Sequence, residues 1–381
     1  GDGRQLNYVD EIVNAFANDV NKKNPEILII SGDLTNNGEK ESHLQLAQKL
    51  EDIEEKAGTR VFVIPGNHDI QNPWARGFKD QNQYKADTID EKDFKKIYGK
   101  FGYEEAISKD ESTLSYLVAP SEDVWLLLLD TNLYLNNNGS TPITNGRIGQ
   151  ETFGWIRQCS ELAKKNNAKL VTVMHHNLFN HSDVLNEGFT LDNSEEALKV
   201  FEEVGINLVL SGHIHIQDIK SNSSNTIYDI ATSSLIMYPE QYGVLKYYQT
   251  NGFDYSTSRV DVEGWAKETG AEDENINNFM EYSKNYFAEA SYNKTYEALT
   301  SLDGYSEQDI KLMAETMSLL NVNYFGGTVD SVRDQVIKSQ GYNLWEEAES
   351  DFLKKYLLSM THDTLLNNNQ LQFTHQDMEK E

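Results

Sequence analysis

Apolar and polar positions follow two regimes that change over near residue 265. Before that point, short unbroken apolar runs recur at Ile27–Ile30, at the start of Val61–Asp69, and at Val124–Asp130, Lys169–Met174 and Leu208–Ser211. Runs of this length, closed by glycine, proline or polar clusters, predict strands buried on both faces. Between them the spacing becomes helical. Leu6–Lys23 places Val9, Ile12, Val13, Phe16, Ala17 and Val20 on one side before Pro25 stops it, and Lys40–Lys56, Gln150–Ala163 and Glu195–Val204 read as helices too. Strand, helix and strand in that order imply right-handed crossovers and an α/β sheet.

Weaker strand signals at Ser115–Val118, Thr226–Ala231, Tyr242–Gln249 and Phe253–Val262 extend the sheet content, the last three as the second sheet of a sandwich. Gln71–Tyr116 is polar, aromatic and irregular apart from a helical reading at Glu91–Tyr98. It is an insertion whose Asn72, Pro73 and Trp74 either wall a pocket or belong to a loop packing its own aromatics. Leu133–Gly146, rich in Asn, Gly and Thr, reads as a mobile loop. After residue 265 the chain turns helical: Ile276, Phe279, Met280, Ser283, Phe287 and Ala290 share a face, Ser306 with Asp309 forms a capping box for a helix through Leu320, and Leu344–Leu358 supplies another. Met313 and Met317 read as core. The expected division is a catalytic domain over 1–265 and a helical domain over 266–381.

Composition narrows the function. A formal charge of −28 is ill suited to tracking a nucleic-acid backbone. No apolar run approaches the ~20 residues of a membrane span. The lone Cys159 makes no intrachain disulfide and reads as a small apolar filler.

The candidate chemistry sits where strands stop. Gly32 is followed by Asp33, Pro65-Gly66 by Asn67-His68-Asp69, Met174 by His175-His176, and Gly212 by His213-Ile214-His215. Strands of one sheet would pool these side chains at its carboxyl edge, where α/β folds carry their sites. Carboxylate, amide oxygen and imidazole suit manganese, iron or zinc better than calcium, and the absence of thiolates argues against a structural zinc site. Asp130 closes an apolar run as Asp33 does but reads as structural. His181 reads as a solvated loop histidine, with a place behind the metal ligands or against substrate as the alternative.

These motifs, with Leu34-Thr35, Gly38, Gly146-Arg147-Ile148-Gly149-Gln150 and Trp155, resemble the calcineurin-like metallophosphoesterases, and among them a bacterial cyclic-nucleotide phosphodiesterase-like subgroup. The resemblance covers roughly 27–262. It implies a four-layer α/β-β/α sandwich with an added C-terminal all-helical domain, and two metal ions, manganese or iron before zinc. By the family pattern Asp33 bridges the ions, Asn67, His175 and His213 hold one, and His215 helps hold the other. His68 meets the phosphate or protonates the leaving oxygen, with Asp69 orienting its ring. Weaker expectations place His176, Asn72 and Tyr238 against substrate. The family's Asp-x-His is absent from this chain, and the reading expects it upstream of Gly1.

The implied activity is hydrolysis of small phosphodiesters, cyclic nucleotides first, by in-line attack of a metal-bridging hydroxide. Alternatives are a phosphomonoesterase or 5′-nucleotidase-like enzyme, and, from another class, a metal-binding scaffold recruiting partners through its helical tail. The expected partner is a small phosphoester rather than a nucleic-acid polymer. The subgroup leans towards an exported or cell-envelope protein, with the cytoplasm as the alternative. Gln71–Tyr116 and the loop Ser233–Tyr242 are expected to form the lip of the pocket, the tail acting through stability or dimer contacts.

Overall fold

The computed structural model describes residues 3–80, 82–137, 139–302, 304–349, 351–362 and 367–374. Helix α1 (Val9–Lys23), strand β1 (Ile27–Ile30), helix α2 (Lys40–Ala57) and strand β2 (Arg60–Val63) form the first unit, with β1 and β2 parallel. The insertion carries a hairpin, β3 (Arg76–Lys79) and β4 (Asn82–Lys85), and helix α3 (Glu91–Ile97) capped by Asp90. Its exposed hairpin had no apolar alternation to announce it.

The main sheet has seven strands. In chain order they are β5 (Ser108–Lys109), β6 (Tyr116–Val118), β7 (Val124–Leu129), β8 (Lys169–Met174), β9 (Leu208–Ser211), β10 (Asp218–Ser221) and β11 (Tyr228–Ala231). Strands β7, β8, β9 and β11 run parallel at its centre, and the outer strands pair antiparallel.

Alternation through these strands explains their unbroken apolar runs. Leu126, Leu128, Val171, Val173 and Leu208 enter one core with Val61, Val63 and the inner residues of α1 and α2. Leu127, Leu129, Met174 and Val209 enter a second core with α4 (Gln150–Lys165) and α5 (Ser194–Val204). Successive side chains of a strand point to opposite faces, so both faces must be apolar when both are covered. The layers therefore run helices, β1–β2 sheet, seven-stranded sheet, helices, as the sandwich expectation had it.

Two assignments change. Tyr228–Ala231 does not sit with the later strands but pairs with β9 in the main sheet, and Asp218–Ser221, which carries no apolar run, pairs beside it. Strands β12 (Gln241–Tyr248) and β13 (Gly252–Arg259) instead form a separate antiparallel sheet with β14 (Gln370–Phe373). Long-range pairing, with Phe373 buried opposite Phe253, places that last strand.

The tail comprises α6 (Val262–Thr269), α7 (Glu274–Asn277), α8 (Phe279–Thr300), α9 (Glu307–Phe325), α10 (Asp330–Val336), α11 (Gln340–Glu347) and α12 (Asp351–Thr361). Ser306 and Asp309 form the expected reciprocal capping box, and Met313 and Met317 are buried. Met280 is exposed, off the face that buries Ile276, Phe279, Ser283 and Phe287. The expected helix Leu344–Leu358 is instead broken at Ala348, whose backbone is extended (φ −64°, ψ 144°) and whose side chain is buried in the tail core. Gly341 lets α11 approach α9 closely: a Cβ there would lie 2.4 Å from the Leu312 carbonyl oxygen.

Trp345 closes that contact. It is fully buried and its Nε1 donates to the Met313 carbonyl at 2.8 Å. Trp345→Ala leaves a cavity and removes this hydrogen bond, and should cost about 3–5 kcal/mol. Chemical denaturation followed by circular dichroism should show the loss; an unchanged midpoint would contradict this packing.

Candidate metal centre

The site forms where the carboxyl ends of β1, β2, β8 and β9 converge. Close approach there requires glycine. A Cβ on Gly32 would sit 2.5 Å from His175 Nδ1, and one on Gly66 would sit 2.3 Å from Asp33 Oδ1. Asp33, His213 and His215 adopt left-handed backbone angles (φ 51°, 65° and 63°), uncommon for residues with a Cβ and concentrated at functional sites.

Asp69 holds the first two loops together. Its carboxylate accepts from the amides of Leu34 (3.1 Å), Thr35 (2.9 Å) and Gly66 (2.8 Å) and from the Thr35 hydroxyl (3.1 Å). The expectation that Asp69 orients the His68 ring is corrected here: its oxygens are spent on the Asp33 loop. The ring is oriented by Asn36, whose carbonyl accepts from His68 Nδ1 at 2.5 Å.

Asp33, His175 and His213 each present one ligand atom, all within 4.8 Å of one another. His175 Nε2 lies 3.3 Å from Asp33 Oδ1 and 3.0 Å from Asn67 Oδ1. His215 stands further out, its Nε2 3.9 Å from Asp33 Oδ2, and is partly exposed. His68 donates its backbone amide to Asp33 Oδ1 at 3.2 Å and keeps its ring at the rim.

Backbone carbonyls set the tautomers. A carbonyl only accepts, so His175 Nδ1 donates to Ser31 (2.9 Å) and His213 Nε2 to Gly188 (2.5 Å), leaving His175 Nε2 and His213 Nδ1 with free lone pairs. Burial, then the neighbouring His176 and His175, hold His213 well below the usual imidazole range, so it is neutral. Burial pushes the Asp33 carboxyl up, but the imidazoles of His175, His215, His68 and His213 outweigh it and hold the group well below the usual range. One carboxylate, the imidazole nitrogens and the buried Asn67, whose Oδ1 faces His175 Nε2 at 3.0 Å, fit a bound cation.

The three weaker expectations are placed elsewhere. His176 is buried, with Nδ1 accepting from Thr131 Oγ1 (2.7 Å) and Nε2 donating to the Thr144 carbonyl (2.9 Å). Both nitrogens are engaged, and burial drives its pKa down to about 3. It braces the 131–146 loop instead of facing substrate. Asn72 is buried beneath the His68 loop, donating to the His68 carbonyl at 3.0 Å and accepting from the Trp74 amide. Tyr238 packs on Phe287 and under the Arg259 guanidinium, against the tail. Asp130 accepts from Leu114, Asn132 and Tyr134, in keeping with a structural role.

His181 is the largest departure. Its side chain is buried between Asp218 Oδ2, 2.7 Å from Nδ1, and Asp229 Oδ2, 3.1 Å from Nε2. The second is a charge contact, not an aligned hydrogen bond. Asp229 also accepts from the amides of Leu178 and Phe179 and from Ser211 Oγ, beside the Gly212 turn. Neither aspartate carried a sequence signal, since each lies inside a strand that motif spacing does not mark.

Against this geometry, the comparisons with known proteins are specific. The chain belongs to the calcineurin-like phosphoesterases, which it matches over residues 3–217. It is a metallophosphoesterase, a hydrolase of a family that uses divalent metals. Residues 261–367 match the C-terminal domain of cyclic nucleotide phosphodiesterase. A probable cyclic nucleotide phosphodiesterase of Coxiella burnetii is 23% identical over 232 residues, 58% of this chain and 77% of that relative. One of Xenorhabdus bovienii is 22% identical over 207 residues, 53% of this chain and 65% of that relative. A dimetal phosphatase from Danio rerio is similar at a TM-score of 0.47 and 12% identity, covering 65% of this chain and 85% of that structure. Among the described residues no helix is long and apolar enough to cross a membrane.

The His181 cluster carries a pH signature. Burial alone would lower its pKa, but Asp229 and Asp218 outweigh this and raise it from 6.5 to about 9. A raised imidazole stabilises fully below its unfolded value and loses that contribution as pH climbs through the folded value. About 3 kcal/mol should therefore fade between roughly pH 6.5 and 9. With chelator present, the Tm of His181→Gln should fall less over that range than that of the parent; parallel curves would rule the charged cluster out.

Proposed function

We propose that this protein is a dimetal phosphodiesterase acting on small phosphodiesters, with 3′,5′- or 2′,3′-cyclic nucleotides first among them. The observation that carries the chemistry is the convergence of Asp33, Asn67, His175 and His213 at one sheet edge, with His215 and His68 at its rim. The substrate class is supported by the C-terminal match and by the two relatives' names. Manganese or iron suits the mixed carboxylate, amide and imidazole set. The same reading divides the chain near residue 265 into catalytic and helical parts.

Bound ions would polarise the phosphate and activate a water for in-line attack. The protein's own part is positioning. Asp33 faces His175 through one oxygen and His215 through the other, so its carboxylate lies between the two ligand groups. His68, with Nδ1 donating to Asn36, turns Nε2 to the rim, where its imidazolium form would give a proton to the leaving oxygen.

Three measurements test this. His68→Ala should lower kcat by about 10²–10⁴-fold while elemental analysis shows the metals retained. Asp33→Asn should lose metal and turnover together without unfolding. A panel of cyclic nucleotides, linear diesters and monoesters with added manganese should show diesters, cyclic ones foremost, turned over fastest. Preference for monoesters would favour the phosphomonoesterase alternative, and metal bound without turnover of any ester would favour the scaffold.

A further inference from the structure

The turn that follows β9 reads Gly212-His213-Ile214-His215-Ile216-Gln217, and its alternation divides the side chains between two environments. His213 and His215 face the Asp33 cluster. Ile214 and Ile216, 6% and 2% exposed, are buried in the core of the C-terminal helices with Met313, Met317, Leu320 and Tyr324. Among the described residues, the only other parts of the sandwich reaching that core are Ala231 on β11 and the partly buried Leu185 and Phe189.

Those last two flank Gly188, whose carbonyl accepts the His213 Nε2 proton, and the Phe189 ring lies 5.1 Å from the His213 ring. Tyr324 of α9 donates to the His181 carbonyl of the same loop at 2.9 Å. Immediately after the turn, the Gln217 amide donates to the Phe325 carbonyl (3.1 Å) and Gln217 Nε2 to the Asn368 carbonyl (2.8 Å). Gly327 permits this approach: a Cβ there would lie 2.8 Å from the Gln217 oxygen.

We propose that the C-terminal helices form the back wall of the metal centre, with Ile216, Gln217 and Tyr324 as positioning residues that set the directions of His213 and His215. The proposal rests on the dimetal reading of the site. The physical ground is that a left-handed, glycine-led turn has little intrinsic preference for one conformation, so its geometry comes from what its apolar side chains are packed against. Residues that orient a ligand from outside the coordination shell commonly change metal affinity by about 10–100-fold.

Manganese titration of the full chain by calorimetry tests this without any substrate, so a wrong phosphodiesterase assignment leaves the comparison readable. Ile216→Ala should weaken manganese binding by about tenfold or more, and Ile216→Val should restore most of it. Leu357→Ala opens the same helical core from α12 and should lower Tm while leaving affinity within about twofold. Tyr324→Phe, which keeps the ring and removes one hydrogen bond, serves where Ile216→Ala folds poorly and should weaken binding by a few-fold. Amide exchange over residues 212–217 in the chelated protein should quicken in the Ile216 and Tyr324 variants and not in the Leu357 variant. Unaltered affinity and exchange in both positioning variants, or equal losses in Leu357→Ala, would overturn the proposal and leave the tail a general stabiliser.

Discussion

A carboxylate half-buried among imidazoles is costly unless every surrounding group has a defined charge and direction, and the architecture of this protein meets that constraint at Asp33. The supply of direction comes from the backbone. Carbonyls of Ser31, Gly188 and Asn36 each take one ring proton, from His175, His213 and His68 respectively, so that each histidine turns a chosen nitrogen onward. The glycines at 32 and 66 matter because a single methyl group at either would collide with the cluster itself.

Around that centre the polar interior is organised in tiers. Asp69 ties the Asp33 loop to the His68 loop through main-chain amides, and Asn72 ties the latter to the insertion. On the opposite flank, the Asp218–His181–Asp229 cluster joins β10, β11 and the loop after β8, and passes through Ser211 towards the metal-facing turn. A histidine held charged between two carboxylates is an unusual investment for a solvated loop and a reasonable one for a joint where three elements meet.

The helical tail is bound to the sandwich in two ways. Strand β14 returns to pair with β13, and the tail core receives Ile214 and Ile216 from between the two histidines of the turn. A chain segment that folds onto the strands of one sheet and the ligand turn of another is coupled to both, which gives the C-terminal helices a mechanical connection to the site beyond covering apolar surface.

Much of this was legible in the residues alone. The strands Ile27–Ile30, Lys169–Met174 and Leu208–Ser211 appear with the bounds their apolar runs imply, although all four residues of the first are only half-buried, and the helix cap at Ser306 follows from a three-residue spacing. Residue identities after each strand were enough to name Asp33, Asn67, His175 and His213 as a pool, because strand direction alone delivers those positions to one edge. What a side chain does at that edge was decided only in three dimensions. Asp69 serves amides and not His68, His176 has both nitrogens occupied, and His181 is charged and buried. Strands β10 and β14 likewise exist because of their partners, and Leu344–Leu358 breaks where Ala348 turns into a core built by other helices. Burial periodicity is written locally, so sequence determines it; hydrogen-bond partners lie tens to hundreds of residues apart, so only the tertiary structure can choose among them.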